Sequence, residues 1–404
     1  MTTTSTSFIN RSTAILAQLE ETGQLKQLQM IESPMGPRIS IRGRGDVDCF
    51  CSNNYLGLAN HPNVVEAGIE GLRTYGAGTS SVRFICGTFA PHESLEERIA
   101  SFLGVEASYT FVSCWNATEA TFPTLCQDGD VIVSDELNHA CIIDSMRLTT
   151  AIHRGVSKCI YKHSDMKSLR DALVSATEKC SSDGNIFVIT DGVFSMEGDI
   201  ALLPEIRILC DEFEAVLVVD DSHGTGVMGE TGRGTHEHYG MAGTEIDIFT
   251  GTLGKALGGG AGGYVAGKRE AVELLVQRGR PTLFSNALPV TVACSAKAAI
   301  DTLANNPSLV HKLRTNVAAV RKGIAEVGFE VLESPTAICP IIVGETAMAI
   351  SMSNALLEMG VFAIGFGYPV VPEGAARIRV QVSSAHEKEH IERLCNALRQ
   401  LKNG

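Results

Sequence analysis

The sequence predicts an α/β fold in which helices cover both faces of a mostly parallel sheet, followed by a smaller α+β unit. Short apolar runs rich in β-branched residues predict the strands, and helical segments separate them. Strands that are buried on both faces form continuous apolar runs, which favours a parallel sheet. The runs are YTFVS (109–113), DVIVS (130–134), NIFVIT (185–190), AVLVVD (215–220) and DIFTG (247–251).

The chain divides into three predicted segments, since 404 residues suggest two or three domains. Residues 1–55 hold a helix and strand segment, residues 56–290 form a large domain, and residues 291–404 form a small C-terminal domain. The small domain alternates helices with the strand-like stretches AICPIIVG and ARIRVQVSS. We find no internal repeat and no low-complexity linker, so we expect the units to pack tightly.

Residues 8–30 have the spacing of a helix with one apolar face. We expect this helix to pack on the body of the molecule or on a second subunit. The side chains that can share its face are Ile15, Leu16, Leu19, Leu25 and Leu28.

Composition narrows the possible partners. The net charge is −13, from 33 basic and 46 acidic residues, which argues against a nucleic acid or an anionic membrane as partner. No apolar run approaches the ~20 residues that a membrane span needs. The polar start MTTTSTSFINRS lacks the apolar core of a secretory signal, so the expected location is the cytoplasm.

Twelve cysteines are scattered along the chain without a CxxC pair. We therefore expect free thiols, no structural disulfide and no metal site. The nearest pair, Cys49 and Cys51, is predicted to lie on opposite faces of a strand.

Open parallel sheets bind ligands beyond the carboxyl ends of their strands. The polar residues that follow the apolar runs are therefore the candidates for a functional site. They are Cys114 to Asn116, Asp135 to His139, Asp191 to Ser195, Asp220 to His223 and Thr252 to Lys255.

The strongest motif is DIFTGTLGKALGGGAGGY (247–264), which places Lys255 in a glycine-rich turn after a strand. A nucleotide phosphate loop does not fit, because Phe249 replaces the first glycine and Ala256 follows the lysine. A dinucleotide-binding fingerprint does not fit either, because the later glycines open no clear helix. A solvated loop lysine is the alternative, but the small residues would bring backbone close to a ligand. A Schiff-base lysine fits best, since burial lowers an amine's pKa and makes it nucleophilic.

The second motif is AVLVVDDSHGTG (215–226), in which a strand ends in two aspartates and a histidine follows. Pyridoxal phosphate (PLP) needs a carboxylate on its pyridine nitrogen, and Asp220 is placed to supply one. His223 is then expected near the phenolic oxygen. The alternative is an aspartate that caps a turn, followed by a polar loop histidine.

These two motifs, together with TDGVFSMEGD (190–199), resemble the α-oxoamine synthases, a family of PLP enzymes. The resemblance runs from about residue 45 to the end of the chain. It implies PLP-dependent transferase fold type I, the aspartate-aminotransferase fold, with a large PLP-binding domain and a smaller α+β C-terminal domain. The other similar stretches are CSNNYLGLANHP (51–62), SVRFICGT (81–88), LNHACIIDSMR (137–147), RPTLFSNALP (280–289) and YPVVPEGAARIRVQ (368–381).

The resemblance assigns roles around the cofactor ring. Lys255 matches the lysine that binds PLP covalently and moves the α-proton, and Asp220 matches the partner of the pyridine nitrogen. His223 and Ser195 match groups near the phenolic oxygen. His139 resembles a histidine stacked on the ring, with a polar residue at a helix start as the alternative.

The resemblance also assigns the phosphate end of the cofactor. The backbone amides of Cys114 and Trp115 resemble those that hold the phosphate, a use that suits a strand-to-helix turn. Thr252 is expected to add a hydroxyl. Ser285 is expected to reach the phosphate of the neighbouring subunit, which implies a homodimer with a shared active site.

Two residues are implied in substrate binding. Arg379 matches an arginine that binds the substrate carboxylate, where a planar guanidinium suits a two-pronged contact. Arg377 lies two positions away on the same strand face, so a choice between the two stays open from the sequence. Asn54 resembles a residue that contacts the amino acid or the cofactor.

The implied reaction joins glycine, or another small amino acid, to acetyl-CoA, or another acyl-CoA, giving an α-amino-β-keto product and CoA. Three departures from the family pattern put the substrates in doubt: Phe89 to Pro91, Trp115 and Gly367. Gly367 in place of an aromatic residue predicts a wider pocket. The alternatives are a related synthase with a longer acyl thioester or another amino acid and loss of CO2, and a non-catalytic subunit of the PLP fold.

Overall fold

The computed structural model describes residues 5–22 and 24–403. A seven-stranded sheet forms the centre of the large unit, in the order β3-β9-β8-β7-β6-β4-β5. Only β9 runs antiparallel to its neighbours, so the predicted mostly parallel sheet is confirmed. The strands are β3 (Ala107–Phe111), β4 (Val131–Asp135), β5 (Ser157–Tyr161), β6 (Ile186–Asp191), β7 (Val216–Asp220), β8 (Ile248–Thr252) and β9 (Gly263–Gly267).

Strands β5 and β9 were not predicted from the sequence. The burial of β5 alternates between inner and outer positions, so its apolar residues form no continuous run. β9 lies in the glycine-rich motif and is buried along its whole length. Its glycines hide the strand because they carry no side chain that would mark a β pattern.

Helices cover both faces of the sheet, and successive residues of one strand point into two separate cores. In β4, Val131 and Val133 belong to one core and Ile132 to the other, and all three are fully buried. The helices of this unit are α2 (Pro62–Tyr75), α3 (Arg83–Cys86), α4 (Ala90–Leu103), α5 (Cys114–Leu125), α6 (Ala140–Ile152), α7 (Met166–Lys179), α8 (Leu203–Glu212), α9 (Thr235–His238), α10 (Arg269–Arg278), α11 (Arg280–Phe284) and α12 (Val290–Asn305).

The smaller unit contains two three-stranded sheets, β10-β13-β12 and β1-β2-β11. The division of the chain at residues 55 and 290 stays a prediction. The hairpin β1–β2 pairs with β11 from the C-terminal part of the chain, while α12 packs on α2 and α4 of the large unit. The elements are β1 (Arg38–Ile41), β2 (Gly45–Cys49), α13 (Ser308–Val327), β10 (Ile338–Gly344), α14 (Thr346–Glu358), β11 (Val361–Phe362), β12 (Ile364–Phe366), β13 (Ala376–Gln381) and α15 (Lys388–Asn403).

The N-terminal helix is shorter than predicted. α1 spans Thr6–Glu21, and none of its residues is buried. It ends where the sequence reads Thr-Gly, a common helix stop, and the backbone N–H of Thr22 still bonds to Gln18. The predicted extension to residue 30 is wrong, because residues 24–30 form no helix and Arg42 N donates to Met30 O at 2.8 Å.

Cys49 and Cys51 were expected on opposite faces of a strand, and that prediction is also wrong. Their Sγ atoms lie 3.9 Å apart, because residues two apart in an extended chain share a face. Within residues 5–22 and 24–403, no helix has the length and apolar character needed to cross a membrane.

Candidate active site

The candidate site lies at the carboxyl ends of the central parallel strands. β4, β6 and β7 each end in an aspartate, namely Asp135, Asp191 and Asp220. Lys255 follows β8, in the connection to β9. The carboxyl ends of the strands therefore bring an amine and several carboxylates to one side of the molecule, as the sequence predicted.

Lys255 is partly buried, and burial lowers the pKa of its amine below the usual value. The nearby Asp220 carboxylate opposes this effect. Among the residues that the structure describes, none makes a hydrogen bond or ion pair with the Lys255 Nζ atom. A lysine with a lowered pKa is more often neutral at ordinary pH, which is the nucleophilic form.

The two adjacent aspartates have different surroundings. Asp220 is buried at the end of β7 and accepts hydrogen bonds from Thr250 Oγ1 at 2.9 Å and Ser222 N at 3.0 Å. The Cys114 thiol lies 3.6 Å from the same carboxylate. Burial raises the pKa of this thiol and the Asp220 charge raises it further, so it stays protonated.

Asp221 belongs to the framework of the following loop. It accepts hydrogen bonds from Thr225 Oγ1 at 2.9 Å and from Thr235 N at 3.1 Å. A Cβ atom added at Gly192, Gly224 or Gly234 would fall within 2.3 Å of its carboxylate. Asp221 is thus enclosed by backbone, whereas Asp220 lies beside Lys255, which favours the assignment of the cofactor role to Asp220.

A chain of hydrogen bonds links His223 to Arg379. His223 Nδ1 lies 2.9 Å from Tyr55 Oη, which accepts from Gln381 Nε2 at 3.0 Å. Gln381 Oε1 in turn accepts from Arg379 Nη2 at 3.3 Å. Tyr55 Oη also lies 3.4 Å from Asn53 Oδ1, to which its hydroxyl can donate, so Tyr55 connects His223, Gln381 and Asn53.

The pKa of His223 is far below its usual value, first because the ring is buried. The positive charges of Lys255, Arg379 and His139 lower it further. His223 is therefore neutral at physiological pH, and four predicted site residues lie within electrostatic reach of one another.

Arg377 and Arg379, which the sequence left undecided, differ in their partners. Arg377 is buried and donates to Glu197 at 3.1 Å and to Met196 O at 2.9 Å. Arg379 donates to Ser195 O at 2.9 Å, and within the described part of the chain no carboxylate pairs with it. Its Nε is buried without a hydrogen-bond partner there. A half-buried guanidinium without a carboxylate partner favours binding of an anionic ligand group.

His139 is exposed and caps the start of α6. Its Nδ1 accepts from Cys141 N at 3.2 Å, and its backbone N donates to Asp191 Oδ2 at 3.0 Å. Trp115 approaches the ring edge-on, with the ring centroids 6.4 Å apart. Burial, and secondarily the Asp220 charge, raise the pKa of Asp191 well above its usual value.

The start of α5 offers an anion site. The Ser113 side chain caps the helix by accepting from Asn116 N at 3.1 Å, which leaves the N–H groups of Cys114 and Trp115 without partners among the described residues. A Cβ atom at Gly263 would lie 2.3 Å from Cys114 N. The glycines of the Lys255 motif were expected to approach a ligand, but Gly263 instead lets β9 pass close to α5.

The remaining predicted residues have these positions. The Thr252 hydroxyl donates to Gly262 O at 3.2 Å and accepts from Gly254 N at 3.0 Å, so a phosphate would have to replace Gly262 as its acceptor. Asn54 Oδ1 accepts from Ala59 N at 3.1 Å. Ser195 contributes its carbonyl to Arg379. Ser285 lines a cavity of about 720 Å³ at the side of α5, together with Arg278 and Phe284.

Sequence reasoning missed Tyr55, Gln381 and the raised pKa of Asp191. Gln381 continues the alternation of Arg377 and Arg379 along β13, so strand period alone would have placed it on the same face. The predicted wider pocket at Gly367 is not supported, because a Cβ atom there would lie 2.4 Å from Thr346 Oγ1. Thr346 occupies the space that the missing side chain leaves.

These residues fit PLP at three points. The free N–H groups of α5 suit a phosphate, the buried Asp220 carboxylate suits a protonated pyridine nitrogen, and Lys255 suits a covalent bond to the aldehyde carbon. His223 and Ser195 would lie at the phenolic side, with His139 at the ring. The unpaired Arg379 is left for the carboxylate of a substrate.

Comparison with known proteins agrees with this geometry. A family model for class I and II aminotransferases matches residues 46–398. The chain is 45% identical over 377 residues to 8-amino-7-oxononanoate synthase from Thermoanaerobacter pseudethanolicus, covering 93% of each chain. It is 42% identical over 391 residues to 2-amino-3-ketobutyrate coenzyme A ligase from Salmonella typhimurium, covering 96% of each. The human mitochondrial 2-amino-3-ketobutyrate coenzyme A ligase is 43% identical over 376 residues, which are 93% of this chain and 87% of that protein.

Solved structures extend the likeness to the fold. A serine palmitoyltransferase from Sphingomonas wittichii superposes with a TM-score of 0.88 at 26% sequence identity, covering 98% of this chain and 97% of that one. A high-resolution structure of SPT with PLP gives a TM-score of 0.90 at 26% identity over 99% of this chain and 98% of that one. The predicted fold type I architecture is confirmed.

Proposed function

The chain belongs to the α-oxoamine synthases, within the class I and II aminotransferase family, and on that premise we propose that it condenses glycine with acetyl-CoA. It is a PLP-dependent acyltransferase that joins an amino acid to an acyl-CoA. The proposed products are 2-amino-3-oxobutyrate and CoA.

One observation carries the proposal. Lys255, with its lowered pKa, lies within electrostatic reach of the Asp220 carboxylate, and the half-buried guanidinium of Arg379 has no carboxylate partner within the described residues. This combination supplies a base, an electron-withdrawing site for the cofactor ring and a binding site for a substrate carboxylate. A non-catalytic subunit would have no use for the lysine.

Asp220 would hold PLP at its pyridine nitrogen, and the bound cofactor would supply an electron sink for the charge left at the α-carbon. Arg379 holds the amino-acid carboxylate and so fixes which bond at the α-carbon is presented to Lys255. Lys255 Nζ removes the α-proton. Overall, a bond forms between the α-carbon and the thioester carbonyl carbon, the C–S bond breaks, and CoA leaves as the thiol.

Tyr55 holds the neutral His223 ring in place through a hydrogen bond at Nδ1. Because Gln381 bonds to both Tyr55 and Arg379, the same chain of side chains orients the histidine and the arginine. We propose that this coupling aligns the substrate carboxylate with the cofactor side of the site.

The identity of the substrates has one serious rival. The relatives include both 2-amino-3-ketobutyrate coenzyme A ligases and an 8-amino-7-oxononanoate synthase at similar identity, and these names describe products of different chain length. A longer acyl thioester, another amino acid and loss of CO2 are therefore the alternative. Thr346 beside Gly367 removes the argument for a widened pocket, which had favoured the longer acyl group.

A matrix of amino acids against acyl-CoA thioesters tests the proposal, with released thiol and product mass as readouts. We expect glycine with acetyl-CoA to turn over fastest, and the Lys255→Ala variant to turn over no pair. Rapid release of thiol from another pair of substrates, with none from glycine and acetyl-CoA, would assign the chain to another branch of the family. A product mass lower by CO2 would reveal decarboxylation.

We further propose a homodimer in which Ser285 reaches the phosphate site of the partner subunit. Apolar side chains of α3 and α11 support an interface, since Phe84, Ile85 and Phe284 are 63%, 67% and 72% exposed in the single chain. Light scattering tests the assembly, and an active monomer would contradict it.

A further inference from the structure

The loop 192–199, which follows β6, is bound by side chains of the smaller unit. Ser195 O accepts from Arg379 Nη1 at 2.9 Å, and Met196 O accepts from Arg377 Nη1 at 2.9 Å. Gly198 O accepts from Thr336 Oγ1 at 2.5 Å. The position of this loop therefore helps to set the position of the Arg379 guanidinium.

A side chain of the large unit, His163, also contacts the same loop. His163 Nε2 lies 2.8 Å from Asp199 Oδ2, and its Nδ1 lies 3.1 Å from Asp135 Oδ1. Carboxylates accept hydrogen bonds only, so both ring nitrogens must carry hydrogen and the ring must be an imidazolium. Burial opposes the charge, but the bonds to Asp135 and Asp199 outweigh it and raise the pKa of His163 to about 10.

The surroundings of His163 are consistent with a fixed position. Its ring meets the Phe194 ring edge-on, with the centroids 4.4 Å apart. Its backbone N donates to Glu136 Oε1 at 3.0 Å, so the charged groups facing it are the carboxylates of Asp135, Asp199 and Glu136. The next residue, Ser164, has a φ of 52°, a conformation that a side-chain-bearing residue adopts at a cost.

The second carboxylate partner of His163 is Asp135, which lies at the end of a strand of the central sheet. Asp135 is the buried last residue of β4, and its carboxylate also accepts from Leu137 N at 2.9 Å. His139 follows four residues later and is fixed to Asp191. His163 thus joins the strand that leads to His139 with the loop that holds Arg379.

We propose that His163 is a positioning residue, which as an imidazolium ties Asp199 to β4 and so places the Ser195 carbonyl that holds Arg379 for the amino-acid carboxylate. The inference rests on the proposed function of Arg379. Loss of the bridge should leave the cofactor bound and the thioester site intact. The defect should be confined to the affinity for the amino acid.

The test uses the PLP-loaded enzyme and compares His163→Gln and Asp199→Asn with the unaltered protein. Glycine is titrated without thioester, and its dissociation constant is read from the change in visible absorbance of the cofactor. Alanine and serine are titrated alongside, in case glycine gives no change. Steady-state rates then give KM for each substrate and kcat. We expect the amino-acid dissociation constant and KM to rise about tenfold, with the acetyl-CoA KM changed less than about twofold.

Asp247→Asn is the matched control. Asp247 accepts from Arg207 at 2.9 Å and from Leu217 N at 2.8 Å, and it lies just before β8, at the amino ends of the strands. The Asp247→Asn substitution removes a carboxylate–cation pair of similar kind and makes no change at the loop 192–199. An equal loss of amino-acid affinity in this control would mean general destabilisation and would overturn the proposal.

Arg379→Lys separates the inference from its premise. If this variant leaves amino-acid affinity unchanged, the proposed function of Arg379 fails. If it weakens affinity while His163→Gln and Asp199→Asn do not, only the inference fails. If His163→Gln does not fold, Asp199→Asn tests the inference by itself, because it keeps the histidine and changes only the more exposed of its two carboxylate partners. The double variant should bind the amino acid no more weakly than the single variant that binds it least well.

Discussion

The neighbours of each side chain decide the chemistry of single residues in this site, because Asp220 and Asp221 are both buried. Adjacent Asp220 and Asp221 have the same side chain, yet one lies beside Lys255 and the other is enclosed by Thr225, Thr235 and glycine backbone. Burial raises the pKa of Asp221 to about 7, whereas Asp220 is placed to pair with the pyridine nitrogen of PLP. Position along the strand end therefore separates a catalytic role from a structural one.

Replacing the two aspartates in turn tests this separation. Asp220→Asn should bind PLP but lose about two to four orders of magnitude in kcat, because an unprotonated pyridine is a poor electron sink. Asp221→Asn should keep most of the rate and lower the thermal midpoint, because hydrogen bonds from Thr225 and Thr235 are weakened. The measurements are kcat and thermal unfolding of both proteins. The reverse pattern would exchange the two roles.

The imidazolium of His163 predicts a pH dependence of stability. Its pKa is raised from 6.5 to about 10 on folding, so the folded state binds the proton more tightly than the unfolded state. The stabilisation is complete below the unfolded pKa of 6.5 and is lost as the pH rises towards 10. The thermal midpoint of the unaltered protein should exceed that of His163→Gln most at about pH 6, and the difference should shrink steadily towards pH 10. A difference that grows with pH would contradict the assignment.

At the scale of elements, apolar strands were predictable and the close approaches between them were not. β4, β6 and β7 contain continuous apolar runs and β8 begins with Ile248 and Phe249, so their positions follow from the sequence. The glycines of β9 conceal its strand pattern in the sequence. Only the structure shows that this strand passes close to the start of α5. A local sequence pattern does not show which other backbone segment lies close to a glycine.

Gly263→Ala tests that close approach. A Cβ atom there would lie 2.3 Å from Cys114 N, so either α5 or β9 must shift. Because the first turn of α5 is the proposed phosphate site, we expect PLP affinity to fall about tenfold or more, together with the thermal midpoint. Equilibrium dialysis against PLP gives the affinity. Gly260→Ala is the control, since its added Cβ would meet only an ordinary contact of 3.5 Å with Val292.

At the scale of the whole molecule, the site depends on contacts between distant parts of the chain. Lys255, Asp220, His223 and His139 follow strands of one sheet, so their meeting was predictable from the sequence. Tyr55 and Gln381 are separated by 326 residues and meet through the packing of the smaller unit on the sheet. His163 acts through a loop that it does not adjoin in sequence. Such contacts depend on how the two units pack, which strand period and motif spacing do not encode.

The proposed sharing of the site between subunits predicts complementation. Lys255→Ala lacks the amine, and Ser285→Asp places a negative charge where a hydroxyl is proposed to meet the partner's phosphate, so each homodimer should be inactive. A hybrid dimer contains one site with both defects and one with neither. Co-expression at equal levels makes about half of the dimers hybrid, so activity should return to roughly one quarter of that of the unaltered enzyme. Tandem affinity tags isolate the hybrid, whose activity per dimer should be about half. If Ser285 served its own chain, the hybrid would carry one defect in each site, and the purified hybrid would stay inactive.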